Sequence, residues 1–174
     1  MAKDRVKNWA IRRKGHQPSH IPALEIHPTA INNEWILPPS KSHLIRMLYL
    51  CALSKNKHTL QNFKNLGEDA ESMKRCLAQL GATFTSLENG IEINGCGIER
   101  FQRSPSTLYA GNSGTALRFL IGLTSRLPFQ SMVDGDATLR NRNHSDLLDS
   151  ISLIDVNILH EIENEQLPIL VQGP

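Results

Sequence analysis

The sequence predicts a mixed α/β protein of the α+β kind, built from a β-α-β-α-β-β unit that occurs twice. Three observations support this prediction. Helical and strand-like hydrophobic periodicities alternate along the chain, the order of these elements repeats, and an Asn-Gly pair separates two strand-like segments. The chain has 174 residues, of which 40% are hydrophobic and 21% are charged, and is therefore long enough to bury a core.

The first unit is predicted to cover residues 23–103. Ser40 is expected to cap its first helix, Gly81 lies where a left-handed cap would end the second, and the Asn-Gly of ENG predicts a hairpin. In chain order, the predicted elements are strands at ALEIH and EWIL, a helix from about Lys41 to Leu53, a strand at HTLQNF, a helix from about Asp69 to Leu80, and strands at ATFTSL and GIEING.

The second unit is predicted to cover residues 104–174 and to repeat this order. An offset of 72 residues aligns Arg46 in the first helix with Arg118. The same offset aligns Ser42 with Gly114. The predicted elements are a strand at TLYA, a helix from about Gly114 to Ser125, a strand at QSMVDG, a helix from about His144 to Ile154, and strands at VNILHE and PILVQ.

The charge distribution and the composition exclude several functional classes. The net charge is only +2, and residues 1–22 form a predicted basic tail whose opening MAKDRVKNWAIRRK carries six Lys or Arg and one Asp. Aromatic residues make up 5% of the chain, so stacking surfaces for nucleic acid are scarce and a nucleic-acid binder using the tail is the weaker alternative. No apolar run is long enough to span a bilayer, and we expect no membrane partner and a cytoplasmic location.

The cysteines indicate neither a disulfide framework nor a zinc site. Cys51, Cys76 and Cys96 are widely spaced and form no CxxC motif. The first two fall on apolar helix faces and are predicted to be small core residues. We therefore predict no metal ligand.

The start of the first helix has the features of an anion site. The first turn of a helix presents free backbone N–H groups and the positive end of the helix dipole. In PPSKSHLIR, Lys41 adds a cation, Ser42 adds a hydroxyl, and Arg46 lies one turn further on. The alternative is an ordinary capped helix with solvated Lys and Arg side chains.

The start of the corresponding helix in the second unit repeats the pattern. In AGNSGTALR, Gly114 lets the backbone approach a ligand closely, and Asn112, Thr115 and Arg118 are further candidate ligand residues. A Walker A loop is excluded, because no Lys lies between Gly114 and Thr115. The alternative is a tight strand-to-helix turn.

A third cationic segment, GDATLRNR, places Arg140 and Arg142 before the next helix, where they are either exposed or part of a carboxylate or phosphate clamp. The acidic pair Glu68 and Asp69 precedes the remaining helix. Carboxylates favour the positive end of a helix dipole, and we assign both residues to that role.

Together, LPPSKSHLIR, GNSGTALRFL and GDATLRNR resemble the enolpyruvyl transferase family over about residues 23–174. Within it, the resemblance is to the members that act on shikimate 3-phosphate rather than to the sister enzymes that use a UDP-sugar. The chain departs from the family pattern at three positions. Pro39 replaces a Gly, Ser113 an Ala and Asn143 a Pro.

The resemblance implies the substrates and their ligands. Lys41, Ser42 and Arg46 would bind shikimate 3-phosphate, while Lys41, Gly114 and Arg142 would bind phosphoenolpyruvate. The implied reaction transfers the enolpyruvyl group of phosphoenolpyruvate to the 5-hydroxyl of shikimate 3-phosphate in chorismate biosynthesis. It uses no metal and no organic cofactor.

The resemblance also implies that a complete member has about six such units in two lobes, of which this chain holds two. We therefore expect an N-terminal portion that is inactive alone and needs the missing C-terminal lobe or a complementing chain. The alternative is a non-catalytic anion-binding module with the same fold.

Overall fold

The computed structural model describes residues 37–160 and 166–173. The predicted basic tail, the strand at ALEIH and all but the last residue of the strand at EWIL lie outside the described residues. In chain order, the described elements are α1 (Lys41–Leu53), β1 (Lys57–Gln61), α2 (Glu68–Gln79), β2 (Thr83–Leu87), β3 (Gly90–Asn94), a 3-10 turn (Ile98–Arg100), β4 (Leu108–Tyr109), α3 (Gly114–Thr124), β5 (Ser131–Asp134), α4 (Ala137–Arg140), α5 (Ser145–Ser152), β6 (Asn157–His160) and β7 (Ile169–Gln172).

The described strands form two sheets. In the first, β3 lies between β1 and β2 and is antiparallel to both. In the second, the order is β4-β5-β7-β6, with β4 parallel to β5 and β7 antiparallel to its two neighbours. Each sheet therefore places its last strand between the two that precede it. The mixed α+β architecture is confirmed, while the number of repeat units stays a prediction.

The core lies where the helices α1, α2 and α3 contact one another and the sheets. It is built mainly from aliphatic side chains, among them Leu48, Leu77 and Leu120, which are fully buried. Cys51 and Cys76 are buried free thiols, as predicted. Burial raises the pKa of the Cys76 thiol to about 12 against the opposing charge of Arg75, so this thiol stays protonated and inert.

Local signals predicted the ends of several elements. Gly81 has φ +114°, and α2 closes with N–H bonds from Ala82 to Leu77 O and from Gly81 to Ala78 O, the pattern of a Schellman cap. The predicted hairpin joins β2 to β3. Its turn residues are 88 and 89, so the glycine of the Asn-Gly pair already belongs to β3.

One predicted helix differs from the observed one, and one helix was missed. The last helix, α5, ends at Ser152 rather than near Ile154, and Asp155 then adopts a positive φ of 59°. The segment GDATLR was predicted as a loop but contains α4. This helix is capped by Asp136, whose Oδ1 accepts a hydrogen bond from Leu139 N at 2.8 Å. A helix of one turn is too short to display a hydrophobic period.

Candidate functional site

The first turn of α1 presents Lys41 beside a carboxylate. Ser40 caps the helix by accepting a 3.4 Å hydrogen bond from His43 N, so the predicted cap is confirmed. The Lys41 Nζ lies 3.1 Å from Asp69 Oδ2 at the start of α2. The Lys41 side chain is 63% exposed and that of Asp69 only 23%, so a solvated cation is held against a partly buried anion.

The first turn of α3 is organised around Gly114. Ser113 is buried and caps the helix through a 3.2 Å bond from Ala116 N to its Oγ. A Cβ placed on Gly114 would lie 2.8 Å from Arg118 Nη1 and 3.2 Å from Arg142 Nη1. A side chain at position 114 would therefore have to displace the two guanidinium groups, which approach the glycine from different parts of the chain.

Hydrogen bonds fix both guanidinium groups. Arg118 Nη1 donates to Gly114 O at 3.0 Å, one turn back along α3. Arg142 Nη2 donates to Asn112 Oδ1, while Asn112 Nδ2 donates to Asp136 Oδ2 at 2.9 Å. The oxygens that accept hydrogen bonds from Arg118 and Arg142 are neutral, so these bonds orient the two cations without neutralising them.

These residues line an open cavity of about 460 Å³ at the N-terminal ends of α1, α2 and α3. Its lining carries three cations and two carboxylates, and the positive ends of the helix dipoles face the same space. Such a site can hold a phosphate or a carboxylate of a small ligand. The lining residues are Lys41, Glu68, Asp69, Asn112, Gly114, Thr115, Arg118 and Arg142.

Most candidate residues from the sequence therefore meet in one place, but Ser42 and Arg46 do not belong to this lining. Arg46 Nη1 donates to Ser42 O at 2.9 Å, and its guanidinium carbon lies 5.6 Å from the centroid of the Phe119 ring. Both residues are exposed on α1. Of the three residues implied to bind shikimate 3-phosphate, Lys41 therefore lines the cavity, whereas Ser42 and Arg46 do not.

The two loop arginines also separate. Arg140 forms a two-bond ion pair with Asp134, with Nε 3.0 Å from Oδ1 and Nη2 bonded to Oδ2. Asp134 is buried, so this pair holds the end of β5 to α4. Only Arg142 of the two lines the cavity.

The loop that carries Arg142 is anchored on both sides. Arg142 N donates to Leu139 O at 3.1 Å, and the buried ring of His144 approaches the same oxygen at 2.9 Å through Nε2. Asn143, where the family pattern has Pro, accepts a 2.8 Å bond from Ser145 N and thereby starts α5. An Asx turn thus supplies the local constraint that a proline would otherwise give.

Sequence reasoning missed the roles of Asp69 and Asp136. Both Glu68 and Asp69 lie in the first turn of α2, as their assignment to the helix dipole requires, but neither caps the helix, because Gly67 holds the N-cap position without a side-chain bond. Asp69 pairs with Lys41 of α1 and Asp136 with Asn112, and no local sequence signal indicated these contacts between distant parts of the chain.

Residues 37–160 and 166–173 show neither a metal-ligand cluster nor a membrane-spanning helix. In these ranges no three His, Cys, Asp or Glu side chains are grouped closely enough to hold a metal ion. None of the helices described there has the length and apolar character needed to cross a bilayer.

Comparison with known proteins identifies relatives of the whole described region. The family model for EPSP synthase (3-phosphoshikimate 1-carboxyvinyltransferase) matches residues 27–174. The 3-phosphoshikimate 1-carboxyvinyltransferase of Chlamydia muridarum is 32% identical over 152 residues, which are 87% of this chain and 34% of that protein. The protein of the same name from Rhodopseudomonas palustris is 32% identical over 158 residues, or 90% of this chain and 35% of that protein.

A solved structure shares the fold. The EPSP synthase of Acinetobacter baumannii superposes with a TM-score of 0.72 at 28% identity, covering 78% of this chain and 31% of that one. The chain thus spans about a third of the length of the curated relatives that it matches. Because the family model covers most of the sequence, and relatives and fold agree with it, the chain belongs to the EPSP synthase family.

Proposed function

We propose that this chain forms part of the substrate site of a 3-phosphoshikimate 1-carboxyvinyltransferase. The enzyme would transfer the enolpyruvyl group of phosphoenolpyruvate to the 5-hydroxyl of shikimate 3-phosphate, a step of chorismate and aromatic amino acid biosynthesis. One observation supports this most directly. The cavity gathers Lys41, Arg118 and Arg142 around Gly114, at helix N-termini that suit anions.

Phosphoenolpyruvate would bind between Lys41, Gly114 and Arg142. A guanidinium group matches a carboxylate or phosphate with two parallel hydrogen bonds, and the absence of a side chain on Gly114 leaves room for this contact. Asn112, Thr115 and Arg118 line the same space and would complete the polar wall.

Shikimate 3-phosphate would bind across the start of α1, through Lys41, Ser42 and Arg46. Arg46 already has its guanidinium turned back along the helix towards Ser42, as its bond to Ser42 O requires. Lys41 would then lie between the two substrates. Its long, flexible side chain suits a cation that serves two anions, and Asp69 would keep it near them before they bind.

In the proposed reaction, a proton adds to C3 of phosphoenolpyruvate and the 5-hydroxyl oxygen bonds to C2, losing its own proton. The tetrahedral intermediate then releases inorganic phosphate from C2 and a proton from C3, which restores the double bond. The cations of the cavity would stabilise the charge that the leaving phosphate develops. They would also bring two anions together that repel each other in water.

The relatives are about three times as long as the matched region, and we propose that the rest of the active site comes from a missing C-terminal lobe or a complementing chain. The chain alone would then bind its substrates weakly and turn over none. We place the activity in the cytoplasm, because both substrates are small charged metabolites that do not cross membranes unaided.

Calorimetric titration of the purified chain tests the proposal. Shikimate 3-phosphate is expected to bind saturably and to lose binding when Lys41→Ala and Arg46→Ala are combined. Phosphoenolpyruvate, added to the chain already saturated, is expected to lose binding with Arg142→Ala. Arg126→Ala, which removes an exposed arginine outside the cavity, serves as the charge-matched control. Equal binding by all four proteins, or none by the unmodified chain, would contradict the proposed site.

A further inference from the structure

We propose that Asp136 is a positioning residue which, acting through the side-chain amide of Asn112, holds the Arg142 guanidinium in the cavity. Asp136 is absent from the ligands implied by the family resemblance, and it has no contact with Arg142 of its own among the hydrogen bonds and ion pairs described. The inference deepens the proposed function and rests on it for the identity of the bound anion.

The Asp136 side chain is fixed at both of its oxygens. Oδ1 accepts the capping bond from Leu139 N at 2.8 Å, and Oδ2 accepts from Asn112 Nδ2 at 2.9 Å. Its backbone N donates to Gly111 O at 2.9 Å, which ties the residue to the loop that precedes α3. The carboxylate is therefore a fixed reference point between the β5–α4 connection and the start of α3.

The chemistry of the three groups allows only one orientation of the Asn112 amide. A carboxylate only accepts hydrogen bonds and a guanidinium only donates them, whereas an amide has one end of each kind. The NH₂ end must therefore face Asp136, and the oxygen must face Arg142. By holding the NH₂ end of the Asn112 amide, Asp136 ensures that the amide oxygen faces Arg142 and accepts its hydrogen bond.

The indirect connection preserves the charge of Arg142. Arg140 bonds directly to the Asp134 carboxylate, and Lys41 bonds directly to Asp69, so each of those cations is partly neutralised. Arg142 instead donates to the neutral side-chain oxygen of Asn112. The carboxylate of Asp136 bonds to the other end of that amide and not to Arg142 itself. Arg142 is thus oriented like an ion-paired arginine yet retains its attraction for an anionic ligand.

The substitution Asp136→Asn tests this role with the smallest change in shape. The new side chain keeps an oxygen for the α4 cap but turns an NH₂ group towards Asn112 Nδ2, so two donors face each other. Asn112 is expected to rotate and to present its NH₂ group to Arg142. Loss of one hydrogen bond to a charged group corresponds to about tenfold weaker phosphoenolpyruvate binding.

A spectroscopic measurement separates positioning from a general loss of structure. In ¹⁵N spectra of the arginine side chains, the restrained Arg142 guanidinium is expected to give separate Nη resonances, assigned by their loss in Arg142→Lys. Asp136→Asn should merge them without the same change for Arg118, which bonds to its own helix. Asp146→Asn is the charge-matched control, because Asp146 is exposed on α5 and outside the cavity.

Two further variants keep the test decisive. Asp136→Ser retains a capping oxygen but cannot reach Asn112, so it should have the same effect on Arg142 as Asp136→Asn. It replaces Asp136→Asn in the test if the Asn variant folds poorly. Adding Asn112→Asp to Asp136→Asn restores a continuous donor–acceptor order and should return the separate Arg142 resonances. Phosphoenolpyruvate affinity should stay low in this double variant, because a carboxylate now contacts the guanidinium directly.

The outcomes distinguish the inference from the proposed function. If the unmodified chain binds phosphoenolpyruvate and Asp136→Asn or Asp136→Ser binds it equally well, the positioning role is overturned. It is also overturned if the Arg142 resonances are the same in these variants as in Asp146→Asn. If the unmodified chain binds no phosphoenolpyruvate, the proposed function fails. The Arg142 resonances then still decide whether Asp136 orients this arginine.

Discussion

The first turns of α1 and α3 have the same construction but different surroundings. Each follows a serine cap, and each carries an arginine that donates to the carbonyl oxygen four residues earlier, from Arg46 to Ser42 O at 2.9 Å and from Arg118 to Gly114 O at 3.0 Å. These two pairs are the ones that the 72-residue offset aligns. The first turns of the two helices thus agree down to a side-chain hydrogen bond.

The difference lies at the position aligned with Ser42. Gly114 has no side chain, and the space above it is taken by Arg142, which comes from a loop outside α3. At the start of α1, Arg46 donates to Ser42 O and lies over the Phe119 ring. The missing side chain at the start of α3 therefore leaves room for a second cation from a neighbouring loop. Under the proposed function, the α3 end would bind phosphoenolpyruvate and the α1 end shikimate 3-phosphate.

The largest expected effect comes from the residue that both ends share. Lys41→Ala should weaken binding of both substrates, on the order of a hundredfold, because a direct charge-assisted bond is lost and Asp69 is left in the cavity without its partner. Lys55→Ala is a matched control, since Lys55 pairs with Glu99 at 3.0 Å and is similarly exposed. Calorimetry that shows a loss for only one substrate would assign Lys41 to one end alone.

A methyl group at Gly114 should affect the α3 end selectively. Gly114→Ala would displace the Arg118 and Arg142 guanidinium groups, and phosphoenolpyruvate binding should fall about tenfold while shikimate 3-phosphate binding changes little. Gly122→Ala in the same helix is the control, because a Cβ there meets no atom within 4 Å. Equal losses in the two glycine variants would indicate a general effect on α3.

The two caps should differ in their contribution to stability. Ser113→Ala is expected to lower the free energy of unfolding by about 1–2 kcal/mol, because its bond is buried, and Ser40→Ala by about 0.5 kcal/mol, because its bond is long and exposed. Urea denaturation of the two variants measures the difference. The reverse order would show that α1 depends on its cap more than α3 does.

The smallest effect should come from the ring beneath Arg46. Phe119→Leu removes an exposed cation–π contact and should weaken shikimate 3-phosphate binding about two- to fivefold. Phosphoenolpyruvate binding should be unchanged, because the ring is not part of the cavity lining. A comparable loss for both substrates would mean that Phe119 acts by supporting α3 rather than by orienting Arg46.

Sequence predicted the parts of the fold that depend on local signals. The Ser40 cap, the left-handed Gly81 and the strand alternation around the hairpin are each encoded within a few residues. The helix α4 was missed because four residues cannot display a period. Its one local signal was Asp136 three positions before Leu139, the spacing of an N-cap and the N–H that it accepts.

The site was predictable to the extent that the repeat places helix starts together. Lys41, Gly114 and Arg142 line one cavity, although what they bind stays a prediction. The pairing of Lys41 with Asp69 is a tertiary contact, and the carboxylate already had a sufficient local explanation in the helix dipole. Helix geometry predicts that the Arg46 side chain points back towards Ser42, but its contact with the Phe119 ring, 73 positions away, could not be predicted from sequence.

The Lys41–Asp69 ion pair gives the cavity a built-in carboxylate that competes with any anionic ligand for Lys41. An anion that binds Lys41 must compete with the Asp69 carboxylate, which lies 3.1 Å from the Lys41 ammonium group and is part of the same chain. A single negative charge, such as chloride, gains little by exchanging one partner for another, whereas a doubly charged phosphate ester gains a second interaction. We therefore expect the pair to favour polyvalent anions over singly charged ones at this cavity.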